Sequence, residues 1–232
     1  AGLADLTGEV VVTSGDVPLL TGETLHALVE AHRAEGNAVT VLTTIAADPT
    51  GYGRVVREGG AVARIVEQRD ADADVQAITE INDGIYVFDG EVLRAGLAQL
   101  GTVNAQGELY LTDVVCFARA QGRRVGASVL ADALQAEGVN DRIQLAALNA
   151  ELNHRILRRW MADGVTVLDP ATTWVHDAVD LAVDVTLLPG TSLEGATSVA
   201  TGAVIGPDTT LVDVEVGEGA HVVRTHATLA VI

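Results

Sequence analysis

The sequence predicts an incomplete α/β domain of the Rossmann-like type, followed by the start of a left-handed parallel β-helix. Residues up to about 141 alternate short apolar strands with amphipathic helices, which is the pattern of an α/β sheet. Beyond Asp169-Pro170 the apolar positions recur every six residues, which is the repeat of a hexapeptide β-helix. An amphipathic helix connects the two patterns, so we expect three segments, 1–141, 142–163 and 164–232.

The first segment offers a local signal for each of its elements. The valines of residues 10–13 predict a strand buried on both faces of a parallel sheet. Thr21 as N-cap and Glu23 in the first turn predict the start of a helix. A hairpin is expected around Gly59-Gly60. The other expected elements are strands at 39–45, 84–88 and 125–129, and helices at about 91–100 and 113–120.

The third segment repeats two series of positions with a period of six. The first series is large and apolar, and a second series two residues earlier is small or β-branched, as expected for the flat faces of a hexapeptide β-helix. We estimate two to three coils from the number of hexapeptides. The large apolar series is Leu181, Leu187, Leu193, Val199, Ile205 and Leu211.

Composition excludes several classes of function. The chain has 32 acidic and 14 basic residues and a net charge of −18, which argues against nucleic acid or an anionic membrane as partner. All the basic residues are Arg, so neither Schiff-base chemistry nor a lysine cradle for a triphosphate is available in this chain. No leader or long apolar run is evident, so a cytoplasmic location is expected. The apolar neighbours of Cys116 predict a buried thiol.

Polar residues at strand ends are candidates for a ligand site. Asp16 follows the first strand, where open α/β sheets bind their ligands, and its carboxylate could hold Mg²⁺ or could merely belong to a turn. Asn140 precedes the long helix, where it could cap the helix or join Asp16 on the metal. His26 and His32 are expected on an exposed helix, and no zinc site is assigned.

A second set of residues, also near strand ends, could bind a sugar. Gly53, in Gly51-Tyr52-Gly53-Arg54, allows a backbone to approach a ligand closely. Glu67 follows the strand at 61–66 and Asn82 precedes the strand at 84–88. A carboxylate and an amide at strand ends can bind hydroxyl groups, although each is also common in turns.

Six stretches occur together in one order, of which residues 104–113 are the most specific. With the hexapeptide repeats, they resemble the bifunctional N-acetylglucosamine-1-phosphate uridylyltransferase and glucosamine-1-phosphate N-acetyltransferase of bacterial cell-wall synthesis. The resemblance covers nearly the whole chain. The stretches are Ser14-Gly15-Asp16-Val17-Pro18-Leu19-Leu20, Asp48-Pro49-Thr50-Gly51-Tyr52-Gly53-Arg54, Ile65-Val66-Glu67-Gln68, Glu80-Ile81-Asn82, Asn104-Ala105-Gln106-Gly107-Glu108-Leu109-Tyr110-Leu111-Thr112-Asp113 and Gly138-Val139-Asn140-Asp141-Arg142.

The resemblance implies a reaction and a set of site residues. Sugar 1-phosphate attacks the α-phosphorus of UTP and releases pyrophosphate, and the full-length protein also transfers acetyl from acetyl-CoA to glucosamine 1-phosphate. Asp16 and Asn140 would hold Mg²⁺, no residue is assigned as a covalent catalyst, and a homotrimer is implied for the full-length protein. The residues implied to contact the UDP-sugar are Ser14, Gly15, Asp16, Gly53, Glu67, Asn82, Tyr110, Thr112 and Asn140.

Three departures limit what the resemblance implies. Asp83 stands where the family has a small residue. The glycine-rich nucleotide loop with its Arg and Lys has no counterpart, since the chain begins at Ala1 without Met, and the acetyltransferase residues are not reached by Ile232. We therefore expect this chain alone to have neither activity at a useful rate. Two alternatives stay open, namely another hexose-1-phosphate nucleotidyltransferase and a non-catalytic module for sugar-nucleotide binding or trimerisation.

Overall fold

The alternating part and the period-six part of the chain fold as two units in a computed structural model. The structure describes residues 7–102 and 104–232, and the two units are Ala1–Asn140 and Asp141–Ile232. The elements of the first unit are β1 Glu9–Val12, α1 Gly22–Glu35, β2 Val39–Ile45, β3 Arg54–Glu58, β4 Ala61–Val66, α2 Ala73–Gln76, β5 Glu80–Asp89, α3 Gly90–Leu97, α4 Asp113–Ala120, β6 Val125–Val129 and a 3₁₀ turn at Ala133–Ala136.

A six-stranded mixed sheet forms the centre of the first unit. Its order is β4-β3-β5-β2-β6, with β1 paired to β5. Only the β2–β6 pair is parallel among the described strand pairs of this sheet, and the hairpin β3–β4 forms as expected. The apolar side chains of β2 and β5 are buried together with those of the helices. Six of the seven residues of β2 are buried, among them Thr40, Thr43 and Thr44, so this strand is covered on both faces.

The environment predicted for β1 is wrong. It runs antiparallel to β5, with Val11 opposite Val87, and its residues alternate between exposed and half-buried. Val11 is 41% exposed. A short run of valines cannot distinguish a strand covered on both faces from one that is covered on a single face.

Helix α1 is capped as predicted, but one of its histidines is buried. The Thr21 side chain accepts a hydrogen bond from the Thr24 amide, and Gly36 ends the helix with φ of 62°. His32 lies one turn beyond Leu28 on the packed face, and its Nδ1 is 2.9 Å from Thr40 Oγ1. The expected exposure of His32 is therefore wrong, and burial lowers the pKa of its ring.

Strand β5 is longer than predicted because it contains a bulge. Val41 pairs with Tyr86 and Thr43 pairs with Asn82, so three residues of β5 oppose Leu42 alone. Gly84, in the middle of the bulge, has φ of 74°. Asn82 therefore lies inside the strand rather than before it, and the bulge redirects the side chains around it.

Helix α4 has the predicted bounds, whereas α3 ends three residues earlier than expected. Within α4, Val114, Val115 and Ala118 are buried, while Cys116 is exposed. The thiol lies on the other side of the helix from these residues, so the prediction of a buried thiol is wrong.

The second unit begins with a long helix and continues as a parallel β-helix. No helix in the described part of the chain combines the length and hydropathy that crossing a bilayer requires. The elements are α5 Arg142–Ala162, β7 Thr166–Val167, β8 Trp174–Val175, β9 Asp180–Leu181, β10 Thr186–Leu187, β11 Thr191–Glu194, β12 Ser198–Val199, β13 Val204–Ile205, β14 Thr209–Val212, β15 Glu215–Val216, β16 His221–Val222 and β17 His226–Thr228.

Asp141, not Asn140, caps α5. The Asp141 carboxylate accepts from the amides of Ile143 and Gln144 at 2.8 Å. The predicted alternative of an Asn140 cap is therefore wrong. Leu145, in the first turn of this helix, is 51% exposed.

The β-helix stacks its coils into three parallel sheets. Two sheets have four strands and one has three, which makes about four turns rather than the two to three expected. Every member of the period-six apolar series is buried, so this series forms the core as predicted. Thr191, Thr197 and Thr209 are also buried, and their hydroxyl groups donate to backbone carbonyls. These hydrogen bonds allow a polar atom to occupy the interior.

Candidate functional site

A cavity of about 400 Å³ lies in the first unit beside the bulge of β5. Its wall includes Ser14, Asp16, Tyr52, Asp83 and Asn140. Three of these, Ser14, Asp16 and Asn140, were predicted as site residues from the sequence. The fold thus brings together residues that are more than a hundred positions apart in the chain.

Asp16 and Asn140 converge because residues 138–140 run alongside residue 16. The Val139 amide donates to the Asp16 backbone carbonyl at 2.9 Å. A Cβ at Gly138 would lie 3.5 Å from Asp16 Oδ2, so the absence of a side chain leaves the carboxylate open to the cavity. Asp16 and Asn140 are both exposed. A carboxylate and an amide oxygen at one cavity wall are ligands that Mg²⁺ accepts, with phosphate and water as the remainder.

The side-chain oxygens of Asp16 and Asn140 suit a metal ion that takes few protein ligands. Among the described residues no group of three His, Cys, Asp or Glu side chains is arranged to hold an ion. Zinc, which is usually bound by three or four protein ligands, does not match this donor set. Mg²⁺ does, since it is commonly held by one or two carboxylates together with substrate phosphates.

Ser14 and Gly15 form the exposed turn that leads to Asp16. A Cβ at Gly84 would lie 3.4 Å from Ser14 Oγ, so this turn runs close to the bulge of β5. Nothing lies within 4 Å of a Cβ built at Gly15. The backbone of the turn is thus accessible to a ligand in the cavity.

Gly53, Glu67 and Thr112 form a second group. A Cβ at Gly53 would lie 3.3 Å from both carboxylate oxygens of Glu67. Thr112 stands at the N-cap of α4 but does not cap it, and its hydroxyl instead donates to Glu67 Oε1 at 3.4 Å. Burial raises the pKa of Glu67, while the Thr112 hydroxyl opposes that shift. None of the three lines the cavity that contains Asp16.

Asn82 links the two groups. Its backbone amide donates to the Gly53 carbonyl at 2.9 Å, and its side-chain oxygen accepts from the Gly84 backbone amide at 3.2 Å. The first bond holds the strand against the glycine loop, and the second holds the bulge. Asn82 therefore connects the Gly53–Glu67 pair with the part of β5 that approaches Ser14.

Tyr110 lies on the approach to α4, near Glu67. Its hydroxyl is enclosed and makes no hydrogen bond of ordinary geometry among the described residues, although the Asp70 carboxylate lies close enough to interact with it. Burial and the negative charges of Asp70, Glu67 and Glu108 raise the pKa of the phenol. The neutral hydroxyl can therefore donate to a ligand near Glu67 at any physiological pH.

Asp83 places a carboxyl group within the cavity wall. The residue is 9% exposed, and the Thr44 hydroxyl donates to its Oδ2 at 2.8 Å. Burial raises its pKa to about 7. Asp83 also lines an adjoining, mostly apolar cavity of about 370 Å³ that includes Ile45 and Leu134.

Sequence reasoning missed the side chains that fix the loop containing Gly53. Arg54 is 2% exposed, and its guanidinium donates to the Tyr52 carbonyl and to Gln68 Oε1. The available signal was an Arg immediately before the apolar pair Val55-Val56. A charged residue at the first position of a buried strand requires hydrogen-bond partners.

The described part of the first unit, with its candidate site beside the bulge of β5, falls within a stretch that matches a known family. The family model described as nucleotidyl transferase matches residues 2–161. The chain belongs to the nucleotidyl transferase family.

Curated relatives narrow the assignment and confirm the resemblance drawn from the motifs. Three proteins named bifunctional protein GlmU match nearly the whole chain. The protein of Kineococcus radiotolerans is 59% identical over 99% of this chain and 47% of its own length, and that of Paenarthrobacter aurescens is 61% identical over 96% and 45%. The protein of Cutibacterium acnes is 56% identical over 100% of this chain and 57% of its own length. The chain thus spans about half the length of these relatives.

Proposed function

We propose that the first unit is part of a uridylyltransferase that makes UDP-N-acetylglucosamine from UTP and N-acetylglucosamine 1-phosphate and releases pyrophosphate. The contact between Gly53, Glu67 and Thr112 carries the proposal. It joins three of the implied sugar-binding positions. Gly53 and Glu67 flank the β3–β4 hairpin, in which Arg54 pairs with Val66, and this pairing alone brings them together. Thr112 comes from the start of α4, forty-five positions beyond Glu67, and a chance resemblance of short motifs gives no reason for it to meet the other two.

The group around Glu67 is suited to a sugar. Its carboxylate accepts hydrogen bonds from hydroxyl groups, and the missing side chain at Gly53 lets the ring approach the loop. The Tyr110 hydroxyl provides a donor near this carboxylate. Asn82, which is hydrogen-bonded to both Gly53 and Gly84, provides an amide group between the sugar end and the phosphate end.

The phosphate end falls at the cavity with Ser14, Asp16 and Asn140. We propose that Asp16 and Asn140 hold Mg²⁺, which when bound neutralises charge on the phosphate oxygens. Ser14 and Gly15 offer a hydroxyl and an accessible backbone to the UDP portion. Transfer of this kind depends on positioning and charge neutralisation, so the chain needs no covalent nucleophile.

The activities of the whole protein extend beyond these residues. We propose that acetyl transfer from acetyl-CoA to glucosamine 1-phosphate belongs to the full-length protein, and that its β-helix assembles a homotrimer. We also propose a cytoplasmic location and a role in supplying precursors for peptidoglycan and lipopolysaccharide. The excess of carboxylates favours small-molecule substrates over nucleic acid.

Calorimetric titration of this protein with UDP-N-acetylglucosamine, in the presence and in the absence of Mg²⁺, tests the proposal. We expect binding that Mg²⁺ strengthens in the natural protein but not in Asp16→Asn. The exposed Asp74→Asn serves as the matched control and should retain the Mg²⁺ effect. Equal affinity for UDP-glucose would favour another hexose-1-phosphate nucleotidyltransferase, and no affinity for any UDP-sugar would refute the proposal.

A further inference from the structure

Arg54 is a buried cation in the first unit that forms no salt bridge with a described carboxylate, although the Asp48 carboxylate interacts with its charge. It is the largest of the fully buried side chains among the described residues, at 2% exposure. No carboxylate in the described part of the chain forms a salt bridge with it, and its Nε has no hydrogen-bond partner there. Its two terminal nitrogens donate to the Tyr52 carbonyl and, at 2.7 Å, to Gln68 Oε1.

Burial of a charge that forms no salt bridge opposes folding, so packing alone gives no reason for an arginine here. A buried charge is stabilised only in part by neutral acceptors, and an apolar side chain of similar volume is often as stable or more stable. What arginine supplies, and an apolar side chain does not, is a planar group that donates in two fixed directions.

The two hydrogen bonds of Arg54 end beside the Gly53–Glu67 pair. Tyr52 directly precedes Gly53, and Gln68 directly follows Glu67. Gln68 Oε1 also accepts from the Gly51 amide at 3.3 Å, so one acceptor holds both the guanidinium and the loop. These hydrogen bonds hold the Gly53 loop at a set distance from the Glu67 carboxylate, whose oxygens would lie 3.3 Å from a Cβ at Gly53.

We propose that Arg54 and Gln68 are positioning residues that set the width of the sugar site between Gly53 and Glu67. This inference rests on the proposed function. Neither side chain touches the ligand. The guanidinium acts by orienting the Tyr52 carbonyl and the Gln68 amide, which determine where the Gly53 backbone and the Glu67 carboxylate lie.

Hydrogen exchange at the Gly51 amide tests the positioning without any ligand. In Arg54→Met this amide should exchange faster than in the natural protein, while the melting temperature does not fall. Arg54→Lys should restore part of the protection, because the ammonium keeps the charge and a donor but not the planar fork. Unchanged exchange in Arg54→Met would overturn the inference.

Calorimetric titration with UDP-N-acetylglucosamine tests the consequence for binding. The dissociation constant should rise roughly tenfold in Arg54→Met, as expected for the loss of one good hydrogen-bonding arrangement. Gln68→Leu removes the shared acceptor at a half-buried position and should cause a similar loss, which keeps the test valid if Arg54→Met does not fold. Arg64→Met is the matched control, since Arg64 is exposed on β4 and pairs with Glu58. It should change neither measurement.

The two tests separate the inference from the proposed function. Faster Gly51 exchange with no UDP-sugar binding by the natural protein would retain the positioning role and refute the proposed function. Normal binding by Arg54→Met and Gln68→Leu would refute the positioning role alone. A loss of affinity that matched a fall in melting temperature, with no restoration by Arg54→Lys, would indicate a merely structural arginine and overturn the inference.

Discussion

Replacement of Asp83 by Asn should stabilise the first unit at neutral pH but not in acid. The carboxyl group is 9% exposed and has one described hydrogen-bond donor, the Thr44 hydroxyl. Asn keeps the shape of the side chain and an oxygen that accepts from Thr44, but it has no charge to bury. The substitution therefore isolates the cost of ionising this group inside the cavity wall.

The magnitude follows from the difference between the folded and unfolded pKa. Burial raises the pKa of Asp83 from 3.8 to about 7. Between these values the unfolded chain has lost a proton that the folded chain retains, so stability falls as the pH rises through this window. Each pH unit corresponds to about 1.4 kcal/mol, which gives an upper value of roughly 4 kcal/mol above pH 7. Because two cavities adjoin the carboxyl group, access of solvent reduces this penalty, and we expect about 1–4 kcal/mol.

Urea unfolding at pH 4 and pH 8 measures the difference. All three tyrosines lie before residue 141 and both tryptophans lie after it, so tyrosine circular dichroism reports the first unit. The Asp83→Asn substitution should raise the unfolding free energy at pH 8 and leave it nearly unchanged at pH 4. Asp74→Asn, at an exposed position, controls for the loss of one negative charge. An equal effect of Asp83→Asn at the two pH values would refute the reasoning.

Two further substitutions test the sugar site and the β-helix. Gly53→Ala would place a Cβ 3.3 Å from both oxygens of Glu67, so calorimetry should show roughly tenfold weaker binding of UDP-N-acetylglucosamine. Gly101→Ala, where nothing lies within 4 Å, should bind normally, and equal affinities would contradict the proposed contact. Leu193→Ala removes a fully buried side chain and should lower the unfolding free energy of the second unit by about 2–5 kcal/mol. Tryptophan fluorescence during urea unfolding measures this change. Leu168→Ala, at a position 60% exposed, should cost much less, and similar losses would mean that the period-six series is not the core.

The elements that the sequence predicts accurately are those determined by local signals. Strands β2 and β6 and helices α4 and α5 have the predicted bounds. In the β-helix the period of six specifies which side chains face inward, and Leu187 and Leu193 are fully buried. Such features depend on periodicity and capping, which are properties of neighbouring residues.

The features that were predicted wrongly depend on partners distant in sequence. The exposure of β1 depends on which strands flank it, and the bulge of β5 depends on its register with β2. Cys116 and His32 each lie in helices whose direction of packing is set by the sheet. Periodicity over a single helix or strand does not contain this information.

In the candidate site, too, some residues were predicted from the sequence and others were found only in the structure. Motif order suggested Asp16, Glu67 and Asn140, because short motifs retain residue identity. The buried Arg54 and its bond to Gln68 were not suggested, since hydrogen bonding across fourteen positions is a property of the folded hairpin. Contacts of this type become visible only when the tertiary structure is known.

The register of the β-helix has a consequence for how such a chain can change in length. Thr186 pairs with Val204, eighteen positions further on, whereas the offset is twenty between Thr166 and Thr186 and sixteen between Thr210 and His226. The corners between the strands therefore absorb differences in coil length while the strands stay paired. Each inner coil therefore pairs with the coil before it and the coil after it through equivalent parallel strands. Tandem duplication or loss of one coil's worth of coding sequence would leave every remaining strand in register, so genes encoding this unit can lengthen or shorten in whole coils without redesign of the core.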